Sequence, residues 1–325
     1  MEENRVYVYD NLKAILITLV VTGHLYEAFL ANREAGNIFY ILVYSFHMAA
    51  FAYCSGVFSS FKLKREISTL LLPYVVFQVL YVLFAKVFYL GGIYNPFIRP
   101  YWIMWFLPCV FVWRFICSLL KKVSKGCYVT VFIISLVFSF AEGFCEYIGY
   151  EFSLSRLIYF FPFFMLGAAQ KRFFGTEKVL AFAKNKVTLT ICLAVIVCYV
   201  LFVLTRWQII DYSQLYYTFS YEGDSFNVCL RLLSWVFSLS MIIFLLGVLP
   251  NKKTFLTQMG QKTIYIYLLH GFFVKLFRKF SIYEIFPSNL LYVCTFGAML
   301  LYLLSRDFVK KAYDKLFFYE TFNKK

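Results

Sequence analysis

Apolar residues in this chain neither alternate nor keep to the narrow stripe of a soluble helix. They run in blocks of about twenty, broken by short polar connections. Ten blocks are legible, roughly at 11–30, 38–59, 69–90, 102–120, 128–148, 156–171, 187–205, 231–249, 262–280 and 289–306. A run of ~20 apolar residues can cross a bilayer as a helix, and continuous apolarity excludes a transmembrane β-barrel. The expected fold is all-α: a polytopic integral membrane protein of about ten transmembrane helices, forming a single domain over 1–325. No internal repeat or soluble domain stands out, and only the connection 206–230 is long enough to form an outer cap. Pro73, Pro108 and Pro162 lie in or beside spans, where a missing N–H can kink a helix.

Composition agrees, with 62% hydrophobic and only 15% charged residues. A net charge of +15 in a soluble protein would suggest nucleic acid. Here 22 of the 32 Lys and Arg residues collect in alternate connections and the C-terminal tail, from Arg5 and Lys13 through Lys62, Lys64 and Arg65 to Lys324 and Lys325. The opposite connections hold Arg33, Arg99, Arg206 and Arg231 with the acids Glu34, Glu142, Glu146, Glu151, Asp211, Glu222 and Asp224. Positive-inside reasoning then places both termini in the cytoplasm. The partner this implies is the lipid bilayer, not nucleic acid. One connection dissents: Lys275, Arg278 and Lys279 fall near the outer end of the ninth span. The nine cysteines are scattered without C-x-x-C spacing or a Cys/His cluster, so neither a disulfide framework nor a metal site is expected. The first span has no A-x-A cleavage site and is read as a mature helix rather than a signal peptide.

All three histidines, His24, His47 and His270, lie within spans. Ionisable groups in hydrocarbon are costly and by default face a cavity or pathway; the alternative is a histidine bonded between helices for packing. His24 has a companion in Lys13. Eleven residues is three helical turns plus about 20°, which puts both on one face, ~16 Å apart along the axis. Such a pair cannot touch but can hold two ends of one long ligand. Asp10 forms an i,i+3 pair with Lys13, although it is too far from His24 to orient it; Glu27, one turn above His24, can either reach the imidazole or sit in interfacial water. Counted from the span ends, His24 and His47 share a depth and His270 lies lower. Lys13, Arg5, Lys62, Lys64 and Arg65 can form a basic inner mouth for phosphates, or simply obey the positive-inside rule. In the 206–230 connection, Trp207, Tyr212, Tyr216, Tyr217 and Tyr221 suit either a sugar or an interfacial aromatic belt.

The opening RVYVYDNLKAILITLVVTGH resembles the first helix of the bacterial acyltransferase family 3 membrane proteins, nearest their fucose 4-O-acetylase-like branch. FHMAAFAYCSG (46–56), LLLPYVVF (70–77), WIMWFLPCVF (102–111), RLIYFFPFFMLG (156–167) and IYIYLLHGFF (264–273) follow in the family's order. The resemblance implies transfer of an acetyl group from cytoplasmic acetyl-CoA to a hydroxyl of a glycan or glycan precursor, in a bacterial inner membrane and without a metal. It makes His24 the catalytic base, with His47 and Arg156 as further catalytic candidates. Lys13, Asp10, Arg65 and Trp105 fall on the donor side. Arg156, His47 or Trp105 would meet the developing oxyanion. Departures are Lys13 where many relatives carry Arg, no R-x-x-R at the third helix, and Ala49-Ala50 in place of a proline. A proton-coupled transporter or flippase, with the histidines as a relay, is the alternative from another class.

Overall fold

The computed structural model describes residues 5–32, 37–92 and 95–317. Arg33, Glu34, Lys324 and Lys325, counted above among the charged connections, lie outside them. The helices are α1 (Tyr7–Tyr26), α2 (Asn37–Val57), α3 (Leu63–Glu66), α4 (Leu72–Val87), α5 (Phe106–Leu119), α6 (Lys125–Ala141) and α7 (Leu154–Ala169). They continue as α8 (Thr176–Lys184), α9 (Lys186–Arg206), α10 (Ser225–Val248), α11 (Thr257–Gln261), α12 (Thr263–Lys279), α13 (Asn289–Leu304) and α14 (Asp307–Phe317). Among the described residues there is no strand.

Polar residues at the ends of the apolar blocks cap the helices. Ser124, Asn185, Asp224 and Ser288 each accept a backbone N–H from the first turn of α6, α9, α10 and α13. Pro73 sits in the first turn of α4, where its missing N–H costs little, whereas Pro162 lies inside α7.

Each of the ten apolar blocks falls on a helix, and among the described residues eight helices are long and apolar enough to cross a membrane. α12 has 17 residues and α13 has 16; α13 and α14 are bent by 55° and make a ninth candidate if taken as one span. Apolar side chains on these helices face outward: Val75, Val79 and Leu83 form an exposed i, i+4, i+8 stripe on α4, and Leu193, Val197, Leu201 and Leu204 line α9. Stripes of this kind suit lipid, not water.

Two compact units form. Unit one comprises residues 1–34, 62–108 and 250–325, and unit two comprises 35–61 and 109–249. In unit one, α1 packs against α11, α12 and α13. Buried Asn11 ties α1 to the segment before α11. Its amide donates to Pro250 O (2.9 Å) and Lys252 O (3.1 Å), and its oxygen accepts from Thr254 and Thr257 (2.8 Å each). Gly260 presses on the Asp10 backbone, a contact that any Cβ would block.

In unit two, α2 and α7 approach through a pair of glycines. A Cβ on Gly56 would strike the backbone of Phe164 and Ala168; one on Gly167 would strike that of Tyr53 and Val57. Small residues at such crossings let backbones meet where the hydrophobic effect offers no drive between helices. Gly167→Ala is therefore expected to destabilise the protein by about 1–3 kcal/mol. Gly126→Ala, whose nearest neighbour is 3.9 Å away, should change little. Thermal unfolding in detergent, followed by fluorescence-detected size exclusion, measures both.

Candidate active site

His24 stands near the end of α1, just before the chain tightens into a 3₁₀ turn at Glu27–Asn32. Glu27 continues the α-helical path of α1, its N–H bonding Gly23 O, and residues three apart on a helix are neighbours on one face. That local geometry brings the Glu27 carboxylate to the imidazole: His24 Nδ1 lies 2.6 Å from Glu27 Oε1, and both side chains are nearly buried, at 12% and 11% exposure. The tautomer this favours carries its proton on Nδ1 and its lone pair on Nε2. Glu27's other oxygen takes Arg278 of α12 at 3.1 Å.

The rest of the surround also comes from unit one. The Trp102 ring meets His24 edge-on at 4.7 Å, and the Lys275 ammonium rests over the same indole at 4.4 Å. Trp102 has φ 44°, a left-handed backbone that a bulky residue adopts at a cost of about 1–3 kcal/mol. Gly271 makes room for it, since a Cβ there would fall 2.9 Å from the indole. His270 stacks on His24 with ring centroids 5.5 Å apart. It is fully buried, its Nδ1 donating to Ile266 O at 2.9 Å and its Nε2 without a hydrogen-bond partner.

The expectation that His270 lies lower than His24 is therefore corrected: the two rings stack. Counting from the edge of an apolar block missed the register set by Gly260 on Asp10, which starts α11 and α12 beside the fourth residue of α1. The tryptophan beside His24 is Trp102; Trp105 lies buried against Phe106, with ring centroids 5.5 Å apart. Arg278 and Lys275 escaped selection as site residues, yet their break with the charge pattern was the signal that could have found them.

At the other end of α1, Asp10 is 5% exposed and accepts from Arg5 (2.7 Å) and Lys13 (2.9 Å), two cations on one carboxylate. Arg65 is paired with the fully buried Glu66 at 2.5 Å, so its charge is locally compensated. Lys62 and Lys64 are exposed.

His47 and Arg156 belong to unit two, where they are linked through aromatic rings. His47 Nδ1 bonds Val43 O at 2.7 Å and lies against Tyr44, whose ring in turn meets Tyr216 at 5.8 Å. Arg156 Nε donates to Tyr216 O at 2.8 Å, with its guanidinium over Tyr150.

Glu142 and Arg231, counted among the outer charges, are instead a buried ion pair. Ser155 donates to Glu142 at 2.7 Å, and Arg231 also donates to Phe219 O at 2.7 Å, fastening the connection between α9 and α10. Tyr217 and Tyr221 of that connection are 2% and 1% exposed, and burial pushes both phenols up. Tyr217 stacks on Tyr159 at 3.9 Å, so these two rings serve packing rather than a sugar platform. Among the described residues, no group of three or more His, Cys, Asp or Glu side chains could hold a metal ion.

A family model described as an acyltransferase domain, Acyl_transf_3, matches residues 6–304, from the start of α1 to the end of α13. The chain belongs to this acyltransferase family. No curated protein and no solved structure matches it. With eight membrane-length helices among the described residues, family membership makes it a multi-pass membrane acyltransferase.

Acyl transfer should depend on the carboxylate behind His24. Glu27→Gln keeps the shape and removes the charge, and is expected to lower the transfer rate about 10²–10⁴-fold, with Arg278→Met giving a smaller loss. Initial rates in membranes matched for protein content test this; an undiminished Glu27→Gln rate would take Glu27 out of the chemistry.

Proposed function

We propose that the protein moves an acetyl group from cytoplasmic acetyl-CoA to a hydroxyl of a cell-surface glycan or glycan precursor, with His24 as general base. The observation that carries this reading is the 2.6 Å contact between His24 Nδ1 and Glu27, backed by Arg278, on the helix that also bears Lys13. A base needs its tautomer held and its conjugate acid stabilised, and a carboxylate on Nδ1 does both.

In the proposed reaction, His24 Nε2 takes the proton of the acceptor hydroxyl as that oxygen attacks the thioester carbonyl. The carbon–oxygen bond forms, the carbon–sulfur bond breaks, and the proton passes to the departing CoA thiolate. Lys13 and Arg5, sharing Asp10, leave net positive charge at their end of α1, which suits the nucleotide phosphates of CoA. The ~16 Å from Lys13 to His24 suits an extended pantetheine arm. Likeness of the opening motif to the fucose 4-O-acetylase-like branch supports a sugar hydroxyl as acceptor and a bacterial inner membrane as the location. His47, Arg156 and Trp105 stand as candidates for the oxyanion or the acceptor on their motif positions alone.

Cells carrying the wild-type gene should O-acetylate a glycan that cells carrying His24→Ala leave bare, as read by NMR of the isolated glycan. Equal acetylation in both would sink the reading. Direct transfer further predicts no labelled protein after radiolabelled acetyl-CoA alone; label recovered on His24 would replace it with a two-step route.

A further inference from the structure

Four side chains close a ring around His24. Trp102 touches both His24 and Lys275, Glu27 touches both His24 and Arg278, and Lys275 and Arg278 lie i,i+3 on one face of α12. With the imidazole neutral, this rim holds two cations and one carboxylate. Arg278 is accounted for by Glu27. Lys275 feels the charges of Glu27 and Arg278 but forms no ion pair among the described residues, and its ammonium rests against the faces of Trp102 (4.4 Å) and Tyr101 (5.8 Å). Aromatic faces hold a cation in place without neutralising it, and an ammonium offers three donors.

Resting on the reading of His24 as the transferring base, we propose that Lys275 is the subsite for an anionic acceptor. The sugar acetylated at His24 carries a carboxylate or phosphate on the same residue or the adjoining one. Distance supports this. One indole separates the two groups, 4.7 Å from the imidazole and 4.4 Å from the ammonium, which one sugar residue with its substituents can span. Accessibility supports it too, since Lys275 and Trp102 are only half-buried and Arg278 is 37% exposed. The carboxylate or phosphate would lie against Lys275, leaving the hydroxyl at Nε2 of His24. Arg278, occupied by Glu27, keeps the local field positive. A uronic acid and a sugar phosphate both satisfy this chemistry.

The test uses the full-length protein in its own membranes. Lys275→Gln removes the cation and Lys275→Arg keeps one that stacks on indole. Glycan O-acetylation should fall at least tenfold in the first and largely survive in the second. Binding of CoA itself to the membranes should be unchanged in both. NMR of the wild-type product gives an answer independent of any variant's folding. The acetyl should sit on a residue that bears, or adjoins one bearing, an acidic group, and its identity separates carboxylate from phosphate. An acetylated residue with no acid on it or next to it overturns the proposal. So does wild-type acetylation by Lys275→Gln, or weakened CoA binding, which would assign the cation to the donor. Loss of the reading of His24 looks different: acetylation there would be indifferent to His24→Ala.

Discussion

A carboxylate taken out of water among apolar helices must be paired, because its desolvation costs more than nearby packing contacts return. Glu27 meets that requirement twice, with the imidazole of His24 on one oxygen and the guanidinium of Arg278 on the other. Much else in unit one is arranged to allow it. α12 must come alongside α1 in a register that delivers Arg278 to Glu27. The glycine at 260 permits the close approach at one end, and the glycine at 271 admits Trp102 and Tyr81 at the other. Arg278, one of the cations that defy the charge pattern at the end of α12, is the counterpart of this buried acid.

The same requirement shapes unit two. Glu142 and Arg231 are almost wholly buried, with Ser155 donating to the carboxylate and the guanidinium donating also to the Phe219 carbonyl. Breaking such a pair by removing one partner costs about 3–5 kcal/mol, whereas keeping it fixes where a connection runs. The connection from α9 to α10 is held in this way, and it positions the Tyr216 carbonyl that receives Arg156.

Much of this was legible in the residues. The blocks of apolar sequence located the helices, and helical phase alone put Lys13 and His24 on one face of a helix that proved unbroken from Tyr7 to Tyr26. Glu27's reach to His24 follows from local spacing, and so was open to sequence reasoning. The misses were all relations between helices. His270's place beside His24 depends on how α11 seats on α1. Trp102's place beside His24 depends on a left-handed residue at the entrance to α5. The pairing of Glu142 with Arg231 joins residues 89 positions apart. No period or composition encodes those registers, because they are set by close packing between residues distant in sequence, such as Gly260 on the Asp10 backbone.

The continuity of α1 has a consequence for how its two tasks can vary independently. Removing one residue between Lys13 and His24 would swing the imidazole by about 100° while shortening the helix by only ~1.5 Å, so orientation would be lost and length kept. Removing four would restore the azimuth to within about 40° and shorten the helix by ~6 Å. Angular phase and reach are thus separable variables in a single rod. An eleven-residue interval satisfies both at once: a near-whole number of turns, and the ~16 Å reach that the proposed donor would need.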